Sequence, residues 1–197
     1  MLLNNRFLII LSLIIFFSCD SNKSEDGYKN GVVVSAKIEA SQAGISILKQ
    51  GGNAFDAMIA TDLALSVVYP NAGNLGGGGF MIYRLNDHST GSLDFREKSP
   101  SLSTKDMYLD KEGNEIKGLS INGSLAIGIP GTVAGLFEVY DKFGTLPLET
   151  LFAPAIELAE KGFVLTKRQA NSLNFSKGQI NSINDSLSLF NKHFKEG

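Results

Sequence analysis

The stretch "NAFDAMIATDLALSVVYPNAGNLGGGGFMIYR", Asn53–Arg84, joins a long apolar segment, a run of four glycines and a short segment of strand type. Between Ala54 and Val68 the only charged residues are two aspartates. A helix that is apolar on most sides is buried, so we predict a central helix here. Asn53 is expected to cap its start and Pro70 to end it.

The glycine run, Gly76–Gly79, has three candidate explanations: a phosphate cradle, a flexible linker, or close approach of the backbone to another group. A P-loop needs Gly-Lys-Ser/Thr leading into a helix, whereas Phe80 and Met81 lead into a strand here. A dinucleotide fingerprint follows a strand and opens a helix, which is the reverse order. Apolar flanks disfavour a linker, so we predict close backbone packing, with a purely structural turn as the alternative. Alanine at Gly77 or Gly78 should then impair folding or maturation.

The remaining segments predict helix pairs and a β-hairpin, so the fold class is α+β. Two strand-type runs flank the polar turn "NDHST", and Asp106–Gly118 is expected to be a surface loop. Beyond Thr166 the sequence is rich in Ser, Asn and Lys, and no convincing element is predicted. The predicted elements are a strand at 31–35, a helix from Ile38 closed by Gly51-Gly52, the hairpin 79–97, and helices within 128–144 and 146–162.

The bulk composition is that of a globular protein. The chain has 197 residues, 43% hydrophobic and 19% charged, with a net charge of −2. This balance gives no indication of a nucleic-acid partner. A single cysteine, Cys19, excludes an internal disulfide framework and a cysteine-based zinc site.

The N-terminus has the layout of a secretory signal: Arg6, the apolar run Phe7–Phe17, and then Ser18-Cys19. The run is too short for an ordinary membrane-spanning helix. Cys19 resembles the cysteine of a bacterial lipoprotein box, which would carry lipid; the alternative is plain cleavage near Ser18. We therefore predict a signal or lipoprotein segment at 1–19, a flexible tether at 20–30 and the folded domain at 31–197.

A second motif, "LDFREKSP", places Arg96 at the end of a predicted strand between Asp94 and Glu97. The rigid guanidinium fork can bind a carboxylate through two parallel hydrogen bonds. The alternative is an ordinary surface ion pair, which contributes little.

No hydrolytic centre is visible in the sequence. His88 is expected in the hairpin turn and His193 in the terminal tail, and neither lies near a plausible nucleophile. Thr132 lies at the start of a predicted helix, where a capping or packing role is expected. A G-x-S-x-G elbow and an H-E-x-x-H motif are both absent from the sequence.

Three motifs in this order resemble the N-terminal part of the γ-glutamyltransferase (glutathione hydrolase) family. They begin with "ILKQGGNAFDAM", "DFREKSP" and "GIPGTVAGLFEVYDKFG", and the likeness runs from about Gly31 to about Val164. It implies an N-terminal-nucleophile hydrolase with an αββα sandwich, of which this chain holds an incomplete portion. It also implies a precursor that cuts itself into a large and a small subunit.

The resemblance further implies transfer of the γ-glutamyl group of glutathione to water, amino acids or peptides, with no metal or cofactor. Arg96 matches the family's arginine that binds the donor α-carboxylate. The nucleophilic threonine would begin the small subunit, beyond residues 1–197, so this chain alone is predicted to be inactive. Export to the periplasm or cell surface is expected, with a membrane attachment through lipid at Cys19.

The sequence does not separate γ-glutamyl transfer from hydrolysis of glutathione without any transfer to acceptors, and two further alternatives remain open. One is a cephalosporin-acylase-like relative, although the D-F-R-E motif argues for donors that carry a free α-carboxylate. The other is a non-catalytic lipoprotein that binds γ-glutamyl compounds or amino acids.

Overall fold

The computed structural model describes residues 28, 30–72, 74–183 and 194–197, without the side chains of 182 and 183. The chain divides into two compact units, Met1–Val32 and Val33–Gly197. The predicted signal segment, Cys19, His193 and nearly all of the tether lie outside the described residues. No helix among those described is both long and apolar enough to cross a membrane.

Five α-helices, one short 3-10 helix and one two-stranded sheet are described, all within the second unit. In chain order they are α1 (Ile38–Lys49), α2 (Ala54–Val68), β1 (Phe80–Arg84), β2 (Thr90–Asp94), the 3-10 helix Ser124–Ala126, α3 (Thr132–Phe143), α4 (Leu148–Lys161) and α5 (Lys167–Ile183).

Helix α2 is the centre of the structure, as its apolar sequence predicts. Helices α1, α3 and α4 all contact it. Its side chains take part in two clusters, and fully buried residues from the other helices, such as Ile47, Val139 and Leu151, pack against it. The buried members of the main cluster are Ile47, Ala57, Ile59, Ala60, Leu63, Leu136, Val139, Leu151 and Ala155.

Small residues let α1 and α2 approach closely. A Cβ at Gly44 of α1 would lie 2.9 Å from Val33 and 3.1 Å from the carbonyl oxygen of Ala57 in α2. Helix α1 then ends as predicted at Gly51, whose φ of 92° is left-handed. Gly51 N–H donates to Leu48 and Gly52 N–H to Ile47, which is the Schellman pattern.

The start of α2 is fixed by a capping box that also reaches the α3–α4 connection. The Asn53 side chain accepts from the N–H groups of Phe55 and Asp56, and Asp56 accepts from Asn53 N–H at 3.0 Å. Asp56 also accepts from both the backbone N–H and the hydroxyl of Thr145. The Asn53 amide donates to Phe143 at 2.7 Å. A fully buried carboxylate thereby joins two distant parts of the chain.

Strands β1 and β2 form the predicted antiparallel hairpin, with Phe80 opposite Asp94 and Arg84 opposite Thr90. Its two faces differ in burial, alternating along each strand. On the inner face, Met81 and Leu93 pack against the helical core and Tyr83 contacts the rings of Phe55 and Phe143. Phe80 and Ile82 lie on the exposed face.

Two predictions from the sequence are wrong. Residues 31–35 form no strand in the described part of the chain, because a β-branched run needs a hydrogen-bonded neighbour and none pairs with it there. Conversely, α5 occupies a segment for which we predicted no element. Thr166 and Gln169 form a reciprocal side-chain and backbone cap at its start, and Ala170 is buried.

The carboxyl group of Asp56 is expected to make the free energy of unfolding depend on pH in the acid range. Burial alone would raise its pKa, but the hydrogen bonds from Thr145 and Asn53 together outweigh burial and lower the pKa below 3.8. Its stabilising contribution is therefore complete above the unfolded-state pKa and is lost as pH falls through the folded-state pKa. Asp56→Asn should lower the free energy of unfolding at pH 7 by about 1–3 kcal/mol and remove this acid dependence. Denaturant unfolding of the full protein between pH 3 and 7 measures the free energy of unfolding and its dependence on pH.

Asp62→Asn is the matched control on the same helix. Burial raises the pKa of Asp62, so its ionised form is a cost to the folded state that the amide does not carry. We expect no loss of stability at pH 7 from this substitution. Equal destabilisation by both variants would show that the loss comes from placing asparagine in α2 and would contradict the assignment to Asp56.

Candidate functional site

The glycine run lies against the D-F-R-E segment, backbone to backbone. Gly79 and Phe95 exchange two hydrogen bonds, of 3.3 and 3.0 Å, which extend the hairpin ladder by one pair. A Cβ at Gly78 would lie 2.5 Å from the Phe95 carbonyl oxygen and 2.8 Å from Arg96 Cα. The prediction of close packing is thereby confirmed. The close packing concerns Gly78 more than Gly77, because a Cβ at Gly77 would meet only ordinary contacts of 3.4 Å or more.

The start of α3 completes this junction. The carbonyl oxygen of Gly77 accepts from Gly131 N–H at 2.8 Å and from Thr132 N–H at 3.0 Å, two donors that a helix start leaves without an internal partner. Gly131 and Gly135 both lie so close to Phe95 that neither has room for a Cβ. Three separate segments therefore meet around Phe95, the residue before Arg96.

Arg96 projects from this junction on an exposed side chain that other groups orient. Its backbone N–H donates to Asp94 Oδ1 at 3.0 Å, which fixes the turn after β2. Its Nε lies 3.3 Å from Glu97 Oε2, and its Cζ lies 5.6 Å from the centroid of the Phe80 ring. The side chain remains 56% exposed. Among the described residues, no acceptor is paired with its two Nη groups.

This geometry suits the recognition of a carboxylate. Glu97 occupies the Nε side of the guanidinium, so the edge formed by the two Nη groups is left for a ligand. Two parallel N–H···O bonds from that edge match the two oxygens of a carboxylate. The exposed Arg96–Glu97 pair itself contributes little stability, so its effect is on orientation.

The other residues considered from the sequence have structural surroundings. Thr132 is buried, and its hydroxyl donates to the carbonyl of Asn74 at 3.1 Å, so the packing role is confirmed. His88 lies in the hairpin turn with φ of 69°, beside Arg84. The described residues contain no group of three or more side chains suited to hold a metal ion. The contact of Phe80 with Arg96 was not predicted from the sequence, although strand alternation places both residues on one face of the hairpin.

Comparison with solved structures identifies the fold. The γ-glutamyltranspeptidase of Helicobacter pylori superposes with a TM-score of 0.82 at 43% identity, over 87% of this chain and 50% of that one. The fold is therefore that of the N-terminal-nucleophile hydrolases, and the predicted α+β class is confirmed.

Within this class of hydrolases, the sequence is similar to the γ-glutamyltranspeptidases. The Gamma-glutamyltranspeptidase family profile matches residues 40–196. The "Glutathione hydrolase proenzyme" of Pseudomonas sp. (strain A14) is 48% identical over 87% of this chain and 31% of its own length. That of Escherichia coli (strain K12) is 48% identical over 74% of this chain and 25% of its own length. The chain belongs to the γ-glutamyltranspeptidase family and spans about a third or less of the length of these relatives.

Two neighbouring glycines provide a test of the packing argument. Gly78→Ala should lower the free energy of unfolding by about 1–3 kcal/mol, because its methyl group would collide with the Phe95 backbone. Gly77→Ala is the matched control, since its methyl group has ordinary space and should cost under about 1 kcal/mol. Thermal unfolding and soluble yield of the two variants measure this difference. Equal yield and unfolding midpoint for the Gly78 variant and the unmodified protein would contradict the argument.

Proposed function

We propose that the protein is a γ-glutamyltransferase of the glutathione hydrolase type, and that this chain contributes the residue that binds the donor α-carboxylate. The observation that carries the proposal is the Arg96 guanidinium, which is held at Nε by Glu97 on a side chain that remains 56% exposed. Membership of the γ-glutamyltranspeptidase family and the name of its relatives support glutathione as the donor.

In this scheme the γ-glutamyl group passes through an ester with a threonine that lies outside residues 1–197. The threonine hydroxyl gives up its proton as its oxygen bonds to the γ-carbonyl carbon; the amide C–N bond breaks, and that proton is passed to the departing nitrogen, which leaves as an amine. Water or an acceptor amine then attacks the ester and frees the threonine. The α-amine of a terminal threonine can serve as the base. Arg96 takes no part in bond making; it positions the donor, and the scheme needs no metal or cofactor.

Arg96→Lys tests the role of the fork. Lysine keeps the positive charge but offers a single point donor instead of two parallel N–H groups. We expect the KM for glutathione to rise by about 10-fold or more, with a smaller change in kcat, because the loss of one charge-assisted hydrogen bond is of this size. Initial rates of the processed enzyme across a range of glutathione concentrations give both constants.

Arg84→Lys is the control for this substitution. Arg84 is an exposed arginine at the other end of the same hairpin, so its replacement should leave the KM unchanged. A donor without the α-carboxylate, a 4-aminobutyryl anilide, should react equally poorly with the unmodified enzyme and the Arg96 variant. An unchanged KM for glutathione in the folded Arg96 variant would overturn the proposal. A protein that binds glutamate but never turns over glutathione would support the non-catalytic alternative.

We further propose that the protein is exported and attached to a membrane by lipid on Cys19. The apolar run 7–17 followed by Ser18-Cys19 supports this proposal. We expect the folded domain to lie in the periplasm or at the cell surface, because a signal segment followed by a polar tether is the layout of an exported protein.

Cys19→Ser should move the protein from the membrane fraction to the soluble exported fraction. The reason is that a hydroxyl cannot form the lipid thioether and only the lipid would hold the domain at the membrane. Incorporation of radiolabelled palmitate, followed by fractionation, measures this change. Ser18→Ala keeps a small residue before the cysteine and should retain the label. A wild-type protein that takes up no label would contradict lipid attachment.

A further inference from the structure

Phe80 is the aromatic neighbour of the Arg96 side chain. It begins β1 opposite Asp94, and its ring centroid lies 5.6 Å from Arg96 Cζ. Phe80 and Ile82 lie on the exposed face of the hairpin, and 71% of Phe80 is exposed. Its ring therefore adds little to the helical core, while one of its faces lies beside the guanidinium.

The ring and Glu97 restrain different parts of the guanidinium. A cation over an aromatic face at this distance is attracted by the negative charge of the π-system. Glu97 holds Nε at 3.3 Å, which restrains rotation within the guanidinium plane. The ring restrains the position of that plane relative to the strand. An arginine side chain carries large rotamer freedom, and its loss on ligand binding weakens affinity unless the side chain is already ordered.

We propose that Phe80 is a positioning residue for donor binding, whose ring pre-orders the Arg96 guanidinium with its Nη edge toward the donor carboxylate. This inference rests on the proposed function of Arg96. Phe80 acts through Arg96 and has no role in bond making. The substrate class that depends on Phe80 is therefore the set of donors that carry a free α-carboxylate.

Phe80→Leu removes the aromatic face but keeps an apolar side chain at the start of β1. In the processed enzyme, the KM for glutathione should rise by about 3–10-fold with kcat changed less than about twofold, given the strength of a cation–aromatic contact. Phe80→Tyr retains the ring and should restore the KM. Phe80→Met is a second ring-free variant with a flexible chain and should behave as leucine does. Ile82→Leu, on the same exposed face, should leave the KM unchanged.

A double-mutant cycle with Arg96→Lys separates this inference from the proposed function. If Phe80 acts through the arginine fork, Phe80→Leu should raise the KM in the unmodified enzyme but change it less than twofold in the lysine background. A rise in KM for Arg96→Lys together with none for the folded ring-free variants would overturn the role of Phe80 alone. No rise for Arg96→Lys would overturn the proposed function itself. An equal effect of Phe80→Leu in both backgrounds would show a general structural role and also reject the inference.

Discussion

The carbonyl oxygen of Gly77 accepts hydrogen bonds from the N–H groups of Gly131 and Thr132 at the start of α3, and two residues later Gly79 pairs with Phe95 across the extended hairpin. These backbone contacts join the segment after α2, the segment after β2 and the start of α3. They require residues without a Cβ at Gly78, Gly79 and Gly131, where a Cβ would lie less than 3.0 Å from Phe95. The placement of Arg96 depends on them, because it follows directly on Phe95 in the same backbone run.

The charged side chains of Asp56 and Arg96 have contrasting environments. Asp56 is fully buried and receives donors from Asn53 and Thr145, so burial is compensated and the carboxylate fixes the fold. Arg96 is held by weak exposed contacts that orient it and leave donors unused. A fully satisfied charge stabilises structure, whereas a partly satisfied one at the surface is available to a ligand.

The parts of the fold that are determined by interactions between residues close in sequence could be predicted. The capped apolar helix α2, the glycine stop of α1 and the hairpin follow from periodicity and turn chemistry. The failures have physical causes: the valines at 32–34 depend on a partner strand, and α5 depends on a Thr166–Gln169 cap that its polar composition obscured. For the site, the residues alone left Arg96 ambiguous and the family resemblance selected it. The difference between Gly77 and Gly78 and the contact of Phe80 required three-dimensional positions.

Phe95 illustrates how this packing constrains sequence change. Its backbone or ring fills the space where side chains would stand at Gly78, Gly79, Gly131 and Gly135. A larger residue at Gly135 and a smaller one at Phe95 would each be unfavourable alone, yet the second could relieve the first, so their effects would not add. The D-F-R-E segment and the start of α3 are thus coupled by packing, so substitutions at these positions are expected to be tolerated only in combination and in a restricted order.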